Sequence, residues 1–244
     1  MQKTIIIIPC YNESKRLKTI SFSNYLESNP SITLLFVDDG SDDSTLSILQ
    51  KLSKKHVNAL CLSLQKNSGK AEAIRQGVIY ISDNLDCELF GYFDADLFTS
   101  LNYIKQFQEV FKGSGEIKIV MGARIRRLGA HISRNQIRHI FGRIVATIAS
   151  IILALPVYDT QCGAKIFDHK FVGQVFLEPF QTKWLFDIEI LLRLTQKYGC
   201  NKIIQSTLEF PLERWIDEGN SKIKFKDFLF VPYYLLKIIF KYKK

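Results

Sequence analysis

Histidine is scarce in this 244-residue chain, and its cysteines are scattered. His56, His131, His139 and His169 form neither an HExxH pair nor a finger-like spacing, which argues against a zinc hydrolase or a zinc finger. Cys10, Cys61, Cys87, Cys162 and Cys200 are odd in number and contain no CxxC pair. That pattern speaks against a disulfide framework and for a reducing compartment. The apolar run from Ile144 to Val157 is shorter than the roughly 17–25 residues of a membrane-spanning helix. Thr4–Ile8 reads as a strand entering a polar turn, not as the core of a signal peptide. Nucleotide loops are missing too. Asn67-Ser68-Gly69-Lys70 resembles the end of a P-loop, but Leu64 stands where the first glycine belongs, and Ala71 replaces the Ser/Thr. With no GxGxxG either, an ATPase or a dinucleotide enzyme is disfavoured. Acidic residues are outnumbered, 24 against 33 basic, and the net charge of +9 favours an anionic partner: nucleic acid, anionic lipid or a phosphorylated substrate.

What is present is an α/β pattern in one domain. Short apolar runs at Thr4–Pro9, Ile32–Asp38, Val57–Leu64, Leu89–Asp94 and Lys118–Gly122 predict strands buried on both faces. Helices are predicted between them at Leu17–Leu26, Ser44–Lys54, Lys70–Ile81 and Leu101–Phe111. Such alternation implies a mostly parallel sheet flanked by helices, with ligands at the carboxyl ends of the strands. The second half is less regular. It predicts a helix over Asn135–Leu155, a turn at Tyr158–Lys165, a helix at Phe186–Lys197 and a strand pair near Ile203–Pro211. The domain is expected to span residues 1–224, followed by an aromatic, basic tail over 225–244.

Polar clusters fall at the predicted strand ends. Asp94 and Asp96, two apart at the end of a buried strand, are expected to project to one side and hold a divalent cation. Asp38 and Asp39 close another apolar strand and suit hydrogen bonds to a base or a ribose, while Asp42–Ser44 read as helix caps. Lys70 at a helix start is placed to approach an anion. Arg124, Arg126, Arg127, Arg134, Arg138 and Arg143 form a basic cluster, either a solvated face or a phosphate site. No nucleic-acid module accompanies it. In the tail, Phe228, Phe230, Tyr233, Leu236 and Phe240 alternate with Lys226, Lys237, Lys241 and Lys243, as in a helix lying in a membrane interface.

Together these residues resemble the inverting glycosyltransferase family 2, which has the GT-A fold. Ile7-Ile8-Pro9-Cys10-Tyr11-Asn12-Glu13, Val37 through Thr45, and Asp94-Ala95-Asp96 look like its opening, nucleotide and metal motifs. Asp159-Thr160-Gln161-Cys162-Gly163-Ala164-Lys165, Phe186-Asp187-Ile188-Glu189 and Arg214 through Lys222 are similar to the narrower group of dolichyl- and polyprenyl-phosphate hexosyltransferases. Ala164 departs from that group, which has a bulky aromatic there; Phe98 departs from its mannosyl-transferring members.

The resemblance implies transfer of a hexose from a donor of the UDP-glucose or GDP-mannose type to a polyprenyl phosphate, peripherally on the cytoplasmic side of a membrane, with Mg2+ or Mn2+. Pro9, Tyr11, Glu13, Asp38 and Asp39 would line the nucleoside. Asp94, Asp96, Lys70 and Lys222 would face the diphosphate. Arg124, Arg126, Arg134 and Arg138 would hold the acceptor phosphate. Asp159 would serve as base if the acceptor were a hydroxyl. Gln161, Asp187 and Glu189 would support the site, the last two orienting arginines or the sugar or simply capping a helix. The rival readings are a saccharide hydroxyl acceptor, and a nucleotide-sugar-binding protein without turnover.

Overall fold

The computed structural model describes residues 2–133, 136–216 and 230–242, with the backbone alone for 136–139 and 141. The first half alternates as predicted: β1 (Thr4–Cys10), α1 (Thr19–Ser28), β2 (Ile32–Asp38), α2 (Thr45–Lys55), β3 (Ala59–Ser63), α3 (Lys70–Asn84), β4 (Leu89–Phe93), α4 (Tyr103–Gly113) and β5 (Ile119–Ala123). The second half holds β6 (His131–Ser133), α5 (Gln136–Leu153), β7 (Ala164–Asp168), α6 (His169–Val172), a 3-10 turn at Gly173–Phe176, α7 (Phe186–Tyr198), α8 (Cys200–Ser206), β8 (Thr207–Pro211), β9 (Arg214–Ile216) and α9 (Val231–Tyr242).

Among the described residues seven strands form one sheet in the order β3-β2-β1-β4-β7-β5-β8; β6 and β9 pair separately. β1 runs parallel to β2 and β4, and β5 is parallel to β8. β7 alone is antiparallel, inserted between β4 and β5. The period-2 alternation of strand side chains divides the core. Ile5 and Ile7 face the layer of α3, α5 and α7, while Ile6 and Ile8 face α1, α2 and α4. All four are essentially inaccessible, and burying an isoleucine of this kind contributes about 1.5–3 kcal/mol.

Two second-half expectations are corrected. The Tyr158–Lys165 turn runs on into β7, which the sequence conceals because Lys165 interrupts its apolar run. The segment from Cys200 to Ser206 is helix, so only β8 remains of the strand pair near Ile203. Gly199, at φ +81°, ends α7 and starts this second helix.

Helix α5 buries Val145, Ala146, Ala149 and Leu153 but leaves Ile140, Ile144, Ile148 and Ile151 exposed at helical spacing. Helix α9, begun at Val231 with Pro232 in its first turn, packs Val231, Leu235 and Ile238 into the core beside α7. Its outer face exposes Tyr233, Leu236 and Phe240. Among the described residues no helix is long and apolar enough to cross a membrane.

Candidate active site

A cavity of about 430 Å³ opens at the carboxyl ends of β1, β2 and β4 and continues under α5 and the start of α7. That volume falls within the usual range for small-ligand pockets. Pro9, Tyr11, Glu13, Asp39, Lys70, Asp94 and Asp96 line one side; Arg124, Asp159, Gln161 and Asp187 line the other.

The first side is built by cross-links between successive strand-to-helix loops. Asn12 N–H donates to Ser41 Oγ (3.0 Å), and its Oδ1 accepts from Asp42 N–H (2.9 Å). Glu13 N–H donates to Thr45 Oγ1 (2.8 Å), and the Glu13 carboxylate takes the fork of Arg16 at 2.9 and 2.6 Å. Asp39 accepts from the N–H groups of Ser68 (2.8 Å) and Gly69 (2.7 Å), fastening the β3–α3 loop to the end of β2. Gly40 makes this close approach possible: its φ is +64°, and a Cβ there would lie 2.5 Å from the backbone of Lys66. Asp38 is buried behind Asp39 and does not line the cavity. Its Oδ2 accepts from Ser41 N–H (3.2 Å), while Oδ1 has no hydrogen-bond partner among the described residues. The helix-capping reading falls to Asp43, which accepts from Thr45 N–H (2.9 Å), whereas Ser44 makes no side-chain cap.

Asp94 and Asp96 face the cavity from a turn, not from an extended segment. Leu97, at φ +58°, donates its N–H to Asp94 O (3.3 Å). Lys70 Nζ reaches Asp94 Oδ1 at 2.5 Å. Burial, and then the Asp94 charge, push the Asp96 carboxyl up to about 6, against the pull of the Phe98 N–H and Lys70. A crowded carboxylate pair of this kind gains by taking a cation. Among the described residues no third acidic, His or Cys ligand joins it. Two carboxylates nevertheless fit a magnesium-type ion, which fills its remaining positions with phosphate oxygens and water. The turn that leads into β7 completes this side: Asp94 N–H donates to Gly163 O (3.0 Å), and a Cβ on Gly163 would fall 1.8 Å from Asp94 Oδ2. Only glycine allows the carboxylate and this turn to meet.

The opposite side rests on ion pairs between distant segments. Arg124 holds Asp159 through Nε (2.7 Å), Nη2 (2.8 Å) and its backbone N–H (3.1 Å), and the pair is nearly buried. Burial opposes the Arg124 charge, but Asp159 outweighs it and holds the guanidinium protonated. Glu209 on β8 accepts from the N–H groups of Tyr158 and Asp159, both at 2.8 Å. Beneath the turn, the buried Lys165 ammonium donates to Thr160 O (3.0 Å), Cys162 O (2.8 Å) and Asp187 Oδ1 (2.5 Å). Tyr92 OH also donates to Asp187 Oδ1. Burial pushes the Cys162 thiol up to about 11, so it is no nucleophile at neutral pH.

Several expected site residues are placed differently. Asp159, proposed as a base, is the carboxylate partner of Arg124. Gln161 lines the cavity, with its Nε2 buried and without a hydrogen-bond partner among the described residues. Glu189 faces away from the cavity; it accepts from Gln181 N–H, Arg193 and Tyr242 OH, and so anchors α9. Arg126 is exposed outside the cavity, beside Leu128. Arg134, Lys222 and the side chain of Arg138 lie outside the described residues. Arg16, Trp184 and Lys165 belong to the site or its support without having been singled out by sequence. The signal for Lys165 was its charge within an otherwise apolar Ala-Lys-Ile-Phe segment.

A mostly parallel sheet flanked by helices, with a carboxylate pair at its carboxyl edge, is the architecture of the GT-A class of glycosyltransferases. The comparisons place it more closely. The glycosyl transferase family 2 model matches residues 5–176, and the chain belongs to that family. It is similar to the dolichyl-phosphate beta-glucosyltransferase ALG5C of Trichomonas vaginalis, with 29% identity across 91% of this chain and 66% of the relative. The Saccharomyces cerevisiae dolichyl-phosphate beta-glucosyltransferase is 27% identical across 79% of this chain and 62% of its own length. The chain spans 61–73% of the length of the dolichyl-phosphate glucosyltransferases it matches. In fold it is similar to glucosyl-3-phosphoglycerate synthase from Mycobacterium tuberculosis, crystallised with Mn2+ and UDP-glucose. The TM-score is 0.66 at 12% identity, covering 99% of this chain and 79% of that one. The chain is a glycosyltransferase.

Proposed function

We propose that this enzyme transfers a hexose, with inversion, from a nucleotide-diphospho-sugar to a polyprenyl phosphate at a membrane surface, and that glucose carried on UDP is the donor group. The names of the similar dolichyl-phosphate glucosyltransferases support the sugar and the acceptor class. One observation carries the choice of acceptor: the carboxylates across the cavity from Asp94 and Asp96 are both held in ion pairs. Asp159 takes Arg124, and Asp187 takes Lys165 and Tyr92. A hydroxyl acceptor needs a free base within hydrogen-bond reach. A phosphate is already anionic at neutral pH and does not.

In this reading Pro9, Tyr11, Glu13 and Asp39 border the nucleoside. Asp94 and Asp96 hold Mg2+ or Mn2+, which supplies charge neutralisation for the departing diphosphate. Lys70, paired with Asp94, adds a second positive charge on that side. The Arg124–Asp159 pair fixes the far wall, and Lys165 holds the turn that carries it. The apolar part of the acceptor is accommodated outside the cavity. The exposed isoleucines of α5 and the Tyr233, Leu236 and Phe240 face of α9 are suited to a lipid surface, and Lys237 and Lys241 on α9 to its anionic headgroups.

The test is transfer of radiolabelled sugar from a panel of UDP- and GDP-sugars to undecaprenyl phosphate, with Mn2+ or Mg2+ against EDTA. A metal-dependent, lipid-extractable glucoside is the expected product. Activity on a soluble saccharide, or donor binding without turnover, would replace this reading.

A further inference from the structure

We infer that Arg143, stacked on Tyr158, is the residue that receives the anionic headgroup of the acceptor, a phosphomonoester on an apolar chain. The inference rests on the acceptor class proposed above and names the group that recognises it.

Arg143 projects from α5 into the same cavity as the carboxylate pair. Its guanidinium lies 3.7 Å from the centre of the Tyr158 ring, and Nη1 donates to Tyr158 O at 2.6 Å. Stacking and hydrogen bond together fix the plane of the fork. The platform is itself held, since Tyr158 N–H donates to Glu209 Oε2 at 2.8 Å. Among the described residues no carboxylate pairs with Arg143, and its Nε and Nη2 make no hydrogen bond. Arg124 is in the opposite condition: Nε and Nη2 are both taken by Asp159. Arg126 is exposed outside the cavity. Of these three arginines, Arg143 alone presents an oriented, uncommitted fork to the cavity.

Its position also suits the rest of the acceptor. The neighbouring Val145 and Ala146 line the cavity, while Ile144 and Ile148 on the same helix face outward. A headgroup held at Arg143 therefore sits where the cavity wall passes into the exposed isoleucine ladder, and an attached apolar chain leaves along that ladder. A fork of this kind recognises the phosphate by charge-assisted hydrogen bonds, which a neutral hydroxyl cannot match.

The experiment compares Arg143→Gln and Arg143→Lys with the wild type, using undecaprenyl phosphate in detergent micelles as acceptor and UDP-glucose as donor. Arg143→Gln is expected to raise the acceptor KM about tenfold to hundredfold, the range for losing hydrogen bonds to a charged group. The donor KM and the thermal midpoint stay at wild-type values, and Arg143→Lys recovers part of the loss. An unchanged acceptor KM in an active enzyme overturns the inference and leaves the proposed function standing. A parallel rise in donor KM, or a fall in thermal midpoint that accounts for the loss, also overturns it by assigning Arg143 to the fold. A wild type that transfers nothing to undecaprenyl phosphate from any donor of the panel overturns the proposed function, and this inference with it.

Discussion

The two sides of the cavity are assembled in different ways. The side bearing Glu13, Asp39, Asp94 and Asp96 comes from consecutive βα units on parallel strands, and its links are hydrogen bonds between neighbouring loops, as between Asn12 and Ser41 or Asp39 and Gly69. The side bearing Arg124 and Asp159 is made by ion pairs across long stretches of chain, and it depends on β7, the one antiparallel strand of the large sheet. On the loop-linked side Glu13 and Asp39 are engaged by Arg16 and by backbone N–H groups, while Asp94 and Asp96 face the cavity from the turn after β4. Long-range ion pairs use carboxylates up. Asp159 and Asp94 are both acids at the cavity wall, yet the first is spent on architecture, and the second faces the cavity with Lys70, a third exposed, as its ion-pair partner among the described residues.

This contrast is broken most severely at Asp96. Asp96→Asn removes one of the two carboxylates proposed to face the diphosphate and is expected to lower the turnover number by roughly a hundredfold to a thousandfold, the size seen when one electrostatic contact to developing charge is lost. The thermal midpoint should hold or rise, because the substitution removes a buried charge crowded by Asp94. Wild-type turnover with unchanged metal dependence would remove Asp96 from the cation site.

Lys165→Met tests the other side, and its effect should fall on stability. It strands Asp187 as an uncompensated buried carboxylate and is expected to cost about 3–5 kcal/mol in denaturant unfolding. Pairing it with Asp187→Asn should restore most of that stability, because no unpaired charge remains. A double variant no more stable than the single one would show that the carbonyl bonds to Thr160 and Cys162, not the ion pair, hold this turn.

A smaller effect follows from acidity. The Asp96 carboxyl titrates near 6 in the fold against 3.8 for an unperturbed aspartate. A raised folded value means that the stability associated with this group is present below 3.8 and is lost as pH rises through about 6. Cation binding runs the other way, because protonated Asp96 is a poor ligand. Mn2+ affinity, measured by calorimetry without donor, should weaken as pH falls below about 6. A flat profile between pH 5 and pH 7 would contradict the crowding of Asp94 and Asp96.

The mildest change concerns the outer face of α9. Leu236 and Phe240 are exposed, so replacing both with serine should alter folding stability by no more than about 0.5 kcal/mol per site. Binding to anionic phospholipid vesicles should fall measurably in a flotation assay. Unchanged flotation would assign lipid contact elsewhere, with the isoleucine ladder of α5 the next face to alter.

Much of the first half was legible because its signals are local. Ile5–Ile8 and Leu89–Phe93 announce buried strands by apolar continuity, and the acids following them fall at the strand ends by connectivity alone. The second half was less so. Lys165 hides a central strand because a buried lysine looks like a surface residue until its acceptors are known. Glu189, two residues from Asp187 on one helix, carries the same chemistry to the opposite face, where it holds Tyr242 instead of the site. The Asp94-Ala95-Asp96 pair was expected to share one side of an extended segment, and a turn brings the two acids to the cavity instead.

By itself, then, the sequence determined the layered α/β architecture, the family, and the position of the acids that follow β1, β2 and β4, because strand periodicity and loop position are local properties of the chain. Tertiary structure decided which charges are free. Whether a carboxylate or a guanidinium meets a ligand or another side chain depends on partners distant in sequence, as Arg124 with Asp159 and Lys165 with Asp187 show. Coulomb attraction between buried groups acts through space and leaves no mark on residue spacing.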